Sequence, residues 1–265
     1  MTIITVALAA YASKARRIFV GREQTIGASE IGRCARQLFY RKNKGDPVRG
    51  APRNPDFVEG WGNPTRGTVF EASYWAPALR ATYGWHLRFA GDKQRTFVKE
   101  YLSATPDGLL IDLADDVLSP LGIESLGGDR SLVIEAKSIH PFTRLDEPKL
   151  MHLYQVQVGM GLIRESTAHR PEYALISYTD ASDWSITREF AVKRDPEIFK
   201  TAMARARQIQ TAPFAEALPP EGLQSGGREC EWCEYSNACL GTEAESLKAM
   251  NERRLSKLGS DVRQT

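Results

Sequence analysis

The sequence predicts an α/β fold, a mixed β-sheet flanked by helices, and three observations predict it. Helix-like and strand-like segments alternate along the chain in the order helix, strands, helix, strands, helix. The strand-like segments are short apolar runs broken by turn residues, as in FVKEYLSATPDGLLID (97–112) and SLVIEAK (131–137). A hairpin pattern, 173–179 and 184–192 across 180–183, then supplies further strands before a last long helix.

The bulk properties bound the answer. The chain has 265 residues, 42% hydrophobic, 26% charged and 9% aromatic, which excludes wholesale disorder, a collagen-like chain and simple repeat arrays. This length holds one large domain or two small ones with a real core. Lys+Arg 35 against Asp+Glu 33 leaves +2, so charge alone points to no nucleic-acid partner. Four cysteines are too few for a disulfide scaffold and fit a reducing, cytoplasmic setting.

The elements follow in order. Residues 1–12 are apolar, with Lys14, Arg16 and Arg17 after them. A signal peptide places its charge first, and a membrane span needs about 20 residues, so a buried N-terminal element and no membrane partner are expected, with secretion the alternative. Residues 29–43 read as a helix, with Ser29 as cap and Ile31, Leu38 and Tyr40 facing inward. A Gly-, Pro-, Arg- and Asn-rich loop covers 45–64, and a helix carrying RGTVFEASYW begins near Thr65, to be ended or kinked by Pro77.

Between the first strand runs, Asp115, Asp116, Gly122, Gly127 and Gly128 suit a hairpin connection lengthened by an insertion. The helix at 147–164 takes Asp146 as N-cap and Pro148 in its first turn. Asp195-Pro196 opens the last long helix. Pro213, Pro219, Pro220, Gly222, Gly226 and Gly227 mark a linker into a cysteine-bearing segment, and the charged tail reads as helix or frayed end.

Chemistry concentrates at two places. Asp107 lies between Pro106 and Gly108, where a strand would turn. Glu135 and Lys137, two apart, leave one face of an apolar strand, while Ala136 leaves the other. If the strands pair, Asp107 meets Glu135, and two carboxylates with a lysine share a small volume. Such crowding of acids calls for a cation, and hard Mg²⁺ or Mn²⁺ suits oxygen ligands while leaving room for water and phosphate. That is the chemistry of phosphodiester cleavage. An isolated Glu-Xaa-Lys otherwise reads as a solvated ion pair, and an Asp-Gly as a turn.

TPDG followed by IEAK resembles the Asp…Glu-Xaa-Lys signature of the PD-(D/E)XK nuclease superfamily. RGTVFEASYW resembles the upstream helix of its YqaJ and lambda-exonuclease branch, in which a Gly is followed four residues later by a metal-site acid; Gly67 and Glu71 fill those positions. MHLYQVQVGM resembles the helix after the Glu-Xaa-Lys strand. The resemblance implies a restriction-endonuclease-like core with Glu71, Asp107, Glu135 and the Ala136 carbonyl on the metal. It also implies Asp107, Glu135 and Lys137 as catalytic residues, and Tyr154, Gln155 and Gln157 as substrate contacts or supports of the lysine. This chain departs from the RecB branch, whose helix carries Gln-Xaa-Xaa-Xaa-Tyr: four residues after Gln155 stands Gly159, and after Gln157 stands Gly161.

The second place is CEWCEYSNAC, which holds Cys230, Cys233 and Cys239; the remaining cysteine is Cys34. Three clustered thiols plus a distant one fit a metal centre that staples the two ends of the chain, with Zn²⁺ or an iron–sulfur cluster both open. One cysteine before a nuclease core and three after it resembles the RecB-like iron–sulfur exonucleases, including the CRISPR-associated exonucleases and the AddB nuclease domain. That resemblance implies a 4Fe–4S cluster on all four. The resemblance covers about Ser29 to Leu240, and a single nuclease domain is expected over 1–265, with a core at about 65–212 and cluster-bearing segments at about 29–44 and 228–241.

Arg33, Arg36, Arg41, Lys42 and Lys44 would give the cysteine-bearing helix a basic edge, with Arg205 and Arg207 on a later helix. Tyr40, Trp61, Trp75 and Trp232 are candidates for stacking on unpaired bases. The function expected is therefore a metal-dependent DNA exonuclease on single-stranded ends, in recombination, repair or CRISPR-type processing, with any helicase a separate partner. The alternatives are a nicking endonuclease on the same site, a non-catalytic iron–sulfur or zinc DNA-binding subunit, and, more remotely, a Cys-Xaa2-Cys thiol oxidoreductase.

Overall fold

The computed structural model describes residues 3–15, 23–114, 118–123, 125 and 129–241. Arg16, Arg17, Asp115, Asp116, Gly127, Gly128 and the charged tail lie outside the described residues. Two compact units form: one from Met1–Gly32 and Glu59–Arg207, the other from Arg33–Val58 and Gln208–Thr265.

In chain order the helices are α1 Ile3–Ala15, α2 Ala35–Lys42, α3 Gly62–Phe70, α4 Ala76–Tyr83, α5 Leu150–Ser166, α6 Pro196–Thr211, α7 Glu221–Gln224, α8 Arg228–Glu231 and α9 Ser236–Leu240. The strands are β1 Ile26–Gly27, β2 Leu87–Arg88, β3 Phe97–Lys99, β4 Leu102–Ala104, β5 Gly108–Leu110, β6 Leu132–Ile139, β7 Tyr173–Asp180 and β8 Thr187–Lys193.

The first unit holds a five-stranded sheet in the order β2-β5-β6-β7-β8. Only β6 and β7 run parallel, joined through α5, and the other pairs are antiparallel. The sheet is mixed, as the order of elements predicts. Alternation along β6 sorts its side chains. Leu132 and Ile134 join Leu87, Leu110, Leu118 and Ile123 in a buried cluster under Trp75, Leu79 and Tyr83. Val133 faces α5 instead, where a Cβ on Gly159 would lie 4.0 Å from its Cγ1. A Cβ on Gly161 would lie 2.3 Å from Phe199, so α6 packs on α5 through that glycine.

A separate three-stranded sheet, β1-β4-β3, uses part of the 97–112 run. The break at Pro106 falls between β4 and β5 as expected, but the run holds three strands because the chain also turns at Glu100, whose φ is +50°, and pairs β3 with β4.

Four boundaries differ from expectation. In α1, Ile4, Val6, Leu8 and Tyr11 are exposed, so this apolar helix is not a buried element. The helix expected from Ser29 begins at Ala35, whose N–H is capped by Glu221 Oε2 at 2.8 Å rather than by Ser29. Helix α5 begins after Lys149, which is extended, so Asp146 does not cap it and Pro148 precedes it. Pro77 ends nothing: residues Glu71–Trp75 form a π-helical turn and α4 continues. Proline lacks the N–H that would bond Ser73, and the wider turn, closed by Ala76 N–H to Glu71 O, takes up the mismatch. Among the described residues no helix is long and apolar enough to cross a membrane.

Candidate active site

Asp107, Glu135 and Lys137 come together in the first unit. Gly108 pairs with Ile134, which places Asp107 beside Glu135 just where the β5 pairing ends. A Cβ on Gly108 would come within 2.9 Å of Ile134 Cδ1 and 3.3 Å of Ala90 Cβ, so only glycine lets β5 lie this close. Beyond the last paired residue, the Ala136 N–H would lack a partner, and Asp107 Oδ2 accepts it at 2.8 Å. A strand residue's N–H and C=O leave on the same side, so the Ala136 carbonyl also faces Asp107.

Glu135 Oε1 accepts from Lys137 Nζ at 2.5 Å and from the amide of Gln155. Glu135 is 3% exposed. Burial, and then the adjacent Asp107 carboxylate, push its pKa up to about 8 against the pull of Lys137. Burial alone would lower Lys137, but Glu135 and Asp107 outweigh it and hold the ammonium above its ordinary value. Two adjacent carboxylates, one of them buried, form a hard-oxygen donor set that a divalent cation fits.

Glu71 enters from the π-helical turn. Gln94 Nε2 donates to Glu71 Oε1 at 2.8 Å and to Asp107 Oδ1 at 3.3 Å, so one amide links the two acids. Among the described residues, no three His, Cys, Asp or Glu side chains group tightly enough to hold an ion by themselves. Glu71 reaches the pair through Gln94. Nothing in the sequence around Gln94 marks it, since it stands in a loop without periodicity or motif. Beside Glu71, Phe70 and Tyr74 pack on Trp184 with ring centroids 5.1 and 5.3 Å away.

The three residues predicted on α5 separate. Gln155 touches Glu135, and Tyr154 beside it is half-buried. Gln157 is buried, and its amide bonds Lys193 O and Asp195 N, each at 2.8 Å, which ties α5 to the end of β8.

The four cysteines all belong to the second unit and line one pocket, together with Arg36, Tyr40 and Gly222. None forms a disulfide. Burial, and then the other three thiols, push Cys230 up to about 11; burial also raises Cys233 and Cys239. Cys233 Sγ accepts from Tyr235 N at 3.5 Å and Cys239 Sγ from Arg36 Nη1 at 3.9 Å. A Cβ on Gly222 would stand 3.1 Å from Cys230 Sγ, so the glycine leaves the thiol its room. Four sulfurs on one tetrahedral zinc stand about 3.8 Å apart. The thiols share a pocket without that tight grouping. In type and number four thiols suit a tetrahedral zinc and an iron–sulfur cluster alike.

Much of the expected basic edge is spent inside this unit. Arg36 Nε bonds Leu218 O at 2.8 Å, and Arg41 and Arg53 both pair with the buried Glu234. Tyr40 is buried against Phe39 and Tyr235, and Trp75 packs on the core of its own unit, so neither is free to stack on a base. Trp232 stays 78% exposed.

No family model and no curated protein matches the sequence. Solved structures do. The structure of SSO0001 matches with a TM-score of 0.52 at 16% identity, over 90% of this chain and 97% of that one. The two share a fold. The alkaline exonuclease LHK-Exo from Laribacter hongkongensis gives a TM-score of 0.48 at 16% identity, over 80% of this chain and 97% of that one. A phage-related exonuclease from Haemophilus somnus 129PT gives 0.42 at 15% identity, over 73% and 82%.

Proposed function

We propose that this chain is a metal-dependent DNA exonuclease of the PD-(D/E)XK superfamily. The observation that carries this reading is half-buried Asp107, bonded to the Ala136 N–H, standing beside buried Glu135, to which Lys137 is bonded. A surface Glu-Xaa-Lys pair would be solvated; here burial and a second carboxylate make the site unfavourable without a cation. Asp107, Glu135 and the Ala136 carbonyl would hold Mg²⁺ or Mn²⁺, with Glu71 joined through Gln94. Such an ion, when bound, polarises the scissile phosphate and acidifies a water. Lys137 orients that water or steadies the charge that develops on the phosphate. Gln155 fixes the Glu135 carboxylate, and Tyr154 beside it is the candidate substrate contact.

The finer reading continues from the same residues. Single-stranded ends are the substrate, in recombination, repair or CRISPR-type processing, with a helicase supplied by another protein. Cys34, Cys230, Cys233 and Cys239 hold a 4Fe–4S cluster in preference to Zn²⁺, and the cluster staples the second unit rather than taking part in cleavage.

The test follows anaerobically purified protein on single strands labelled at either end, with Mg²⁺ and Mn²⁺ separately. Release from one labelled end, with closed circular DNA left intact and Lys137→Ala inert, is the expected result. Cleavage of the circle would make it an endonuclease, and inactivity on every substrate would leave a binding subunit.

A further inference from the structure

Beside the carboxylates lies a second polar group that the reading above does not use. Tyr178, 1% exposed, sits on β7 in register with Lys137 on β6. Its hydroxyl oxygen accepts from the Lys149 N–H at 3.1 Å and stands 2.8 Å from Nδ1 of His152. His152 lies in the first turn of α5, three residues before Gln155, so both occupy the helix face turned toward Glu135.

The Tyr178 oxygen receives the Lys149 N–H, and the 2.8 Å contact lets its hydrogen point to Nδ1 of His152. Nδ1 can accept it only if the ring is neutral and carries its hydrogen on Nε2. Half-burial and the positive charges of Lys137 and Lys149 hold the ring in that neutral form, well below the usual histidine range. A neutral imidazole locked in this way offers one N–H donor and adds no charge next to a lysine that already has a carboxylate partner.

We propose that His152 is a substrate-binding residue: Tyr178 locks its proton on Nε2, and that N–H binds a phosphate oxygen of the strand held beside Lys137. The proposal rests on the nuclease reading for the identity of the strand, but its test does not depend on cleavage. Uniformly ¹⁵N-labelled, metal-free protein would be followed through the long-range couplings of the imidazole nitrogens, with His152→Gln assigning the signal by its loss.

At neutral pH the expected pattern is a single neutral tautomer protonated at Nε2. Tyr178→Phe should relax it toward a mixture of tautomers, and added inorganic phosphate should shift the Nε2 signal of the wild type to saturation. On DNA, His152→Gln should raise KM several-fold with kcat little changed. A ring protonated at Nδ1, a charged ring, an Nε2 signal indifferent to phosphate, or an unchanged KM would each overturn the proposal. Failure of the nuclease reading looks different: no cleavage by the wild type with either metal, whatever the imidazole spectra show.

Discussion

The carboxylate site and the cysteine pocket are both clusters of like groups drawn partly out of water, yet they are supported in opposite ways. Every acid of the first has a protein partner: Lys137 and Gln155 on Glu135, the Ala136 N–H on Asp107, and Gln94 on both Glu71 and Asp107. Among the described residues, the thiols of the second are held by one backbone N–H on Cys233 and a long contact from Arg36 to Cys239, and burial pushes three of them toward the protonated form. The first site is pre-organised before any cation arrives. The second gains most of its order from what it binds. Substitutions in the first should therefore cost activity, and those in the second should cost folding.

The largest separation is expected from Cys233→Ser. It should remove the visible absorbance of the cluster and lower the melting temperature by several degrees or more, read by calorimetry against spectroscopy. Loss of the chromophore at an unchanged melting temperature would deny the pocket its structural role.

Next comes a pH effect confined to the carboxylates. Glu135 binds its proton more tightly in the folded chain, up to about 8, than in the unfolded chain, near 4.5. Between those values the folded state holds more protons, so metal-free protein should lose stability as pH rises through that window. Glu135→Gln should flatten the slope. Because the proton must leave before a cation binds, the thermal shift given by Mn²⁺ should grow over the same range. A wild-type melting temperature that stays flat from about pH 5 to about pH 8 would contradict this.

Gly222→Ala should act more mildly. The new Cβ would meet Cys230 Sγ at 3.1 Å, so the thiol must yield by a few tenths of an ångström. Lower cluster occupancy per chain, measured as iron content, is expected with DNA cleavage by the folded fraction kept. The smallest effect belongs to Arg36→Gln, which removes the long contact to Cys239 together with the Nε bond to Leu218 O, and should speed cluster loss in air without changing cleavage.

The two regions also differ in how much of them the sequence displayed. Glu135 and Lys137 declare themselves because period two in an apolar strand puts them on one face, and Asp107 because its turn precedes a strand that must pair nearby. Gln94, His152 and Tyr178 left no such trace: each is joined to its partner only by tertiary packing. Strands of two or three residues, such as β1 and β2, are too short for a pattern to show. Near the cysteines, spacing displayed the ligands, but Arg36 and Arg41 looked like a charged face because their acceptors, Leu218 O and Glu234, are about 180 to 190 residues away in sequence.

The most direct test of the account compares single-turnover cleavage and melting temperature for the wild type, Asp107→Asn and Cys233→Ser with Mn²⁺ present. The account predicts that Asp107→Asn melts close to the wild type and cleaves at least about 100-fold more slowly, in line with loss of a group that stabilises the transition state. It predicts that Cys233→Ser melts earlier but cleaves, held well below its own transition, at close to the wild-type rate per folded molecule. Cleavage that survives in Asp107→Asn, or a Cys233→Ser protein that stays fully folded and is inactive, would contradict it.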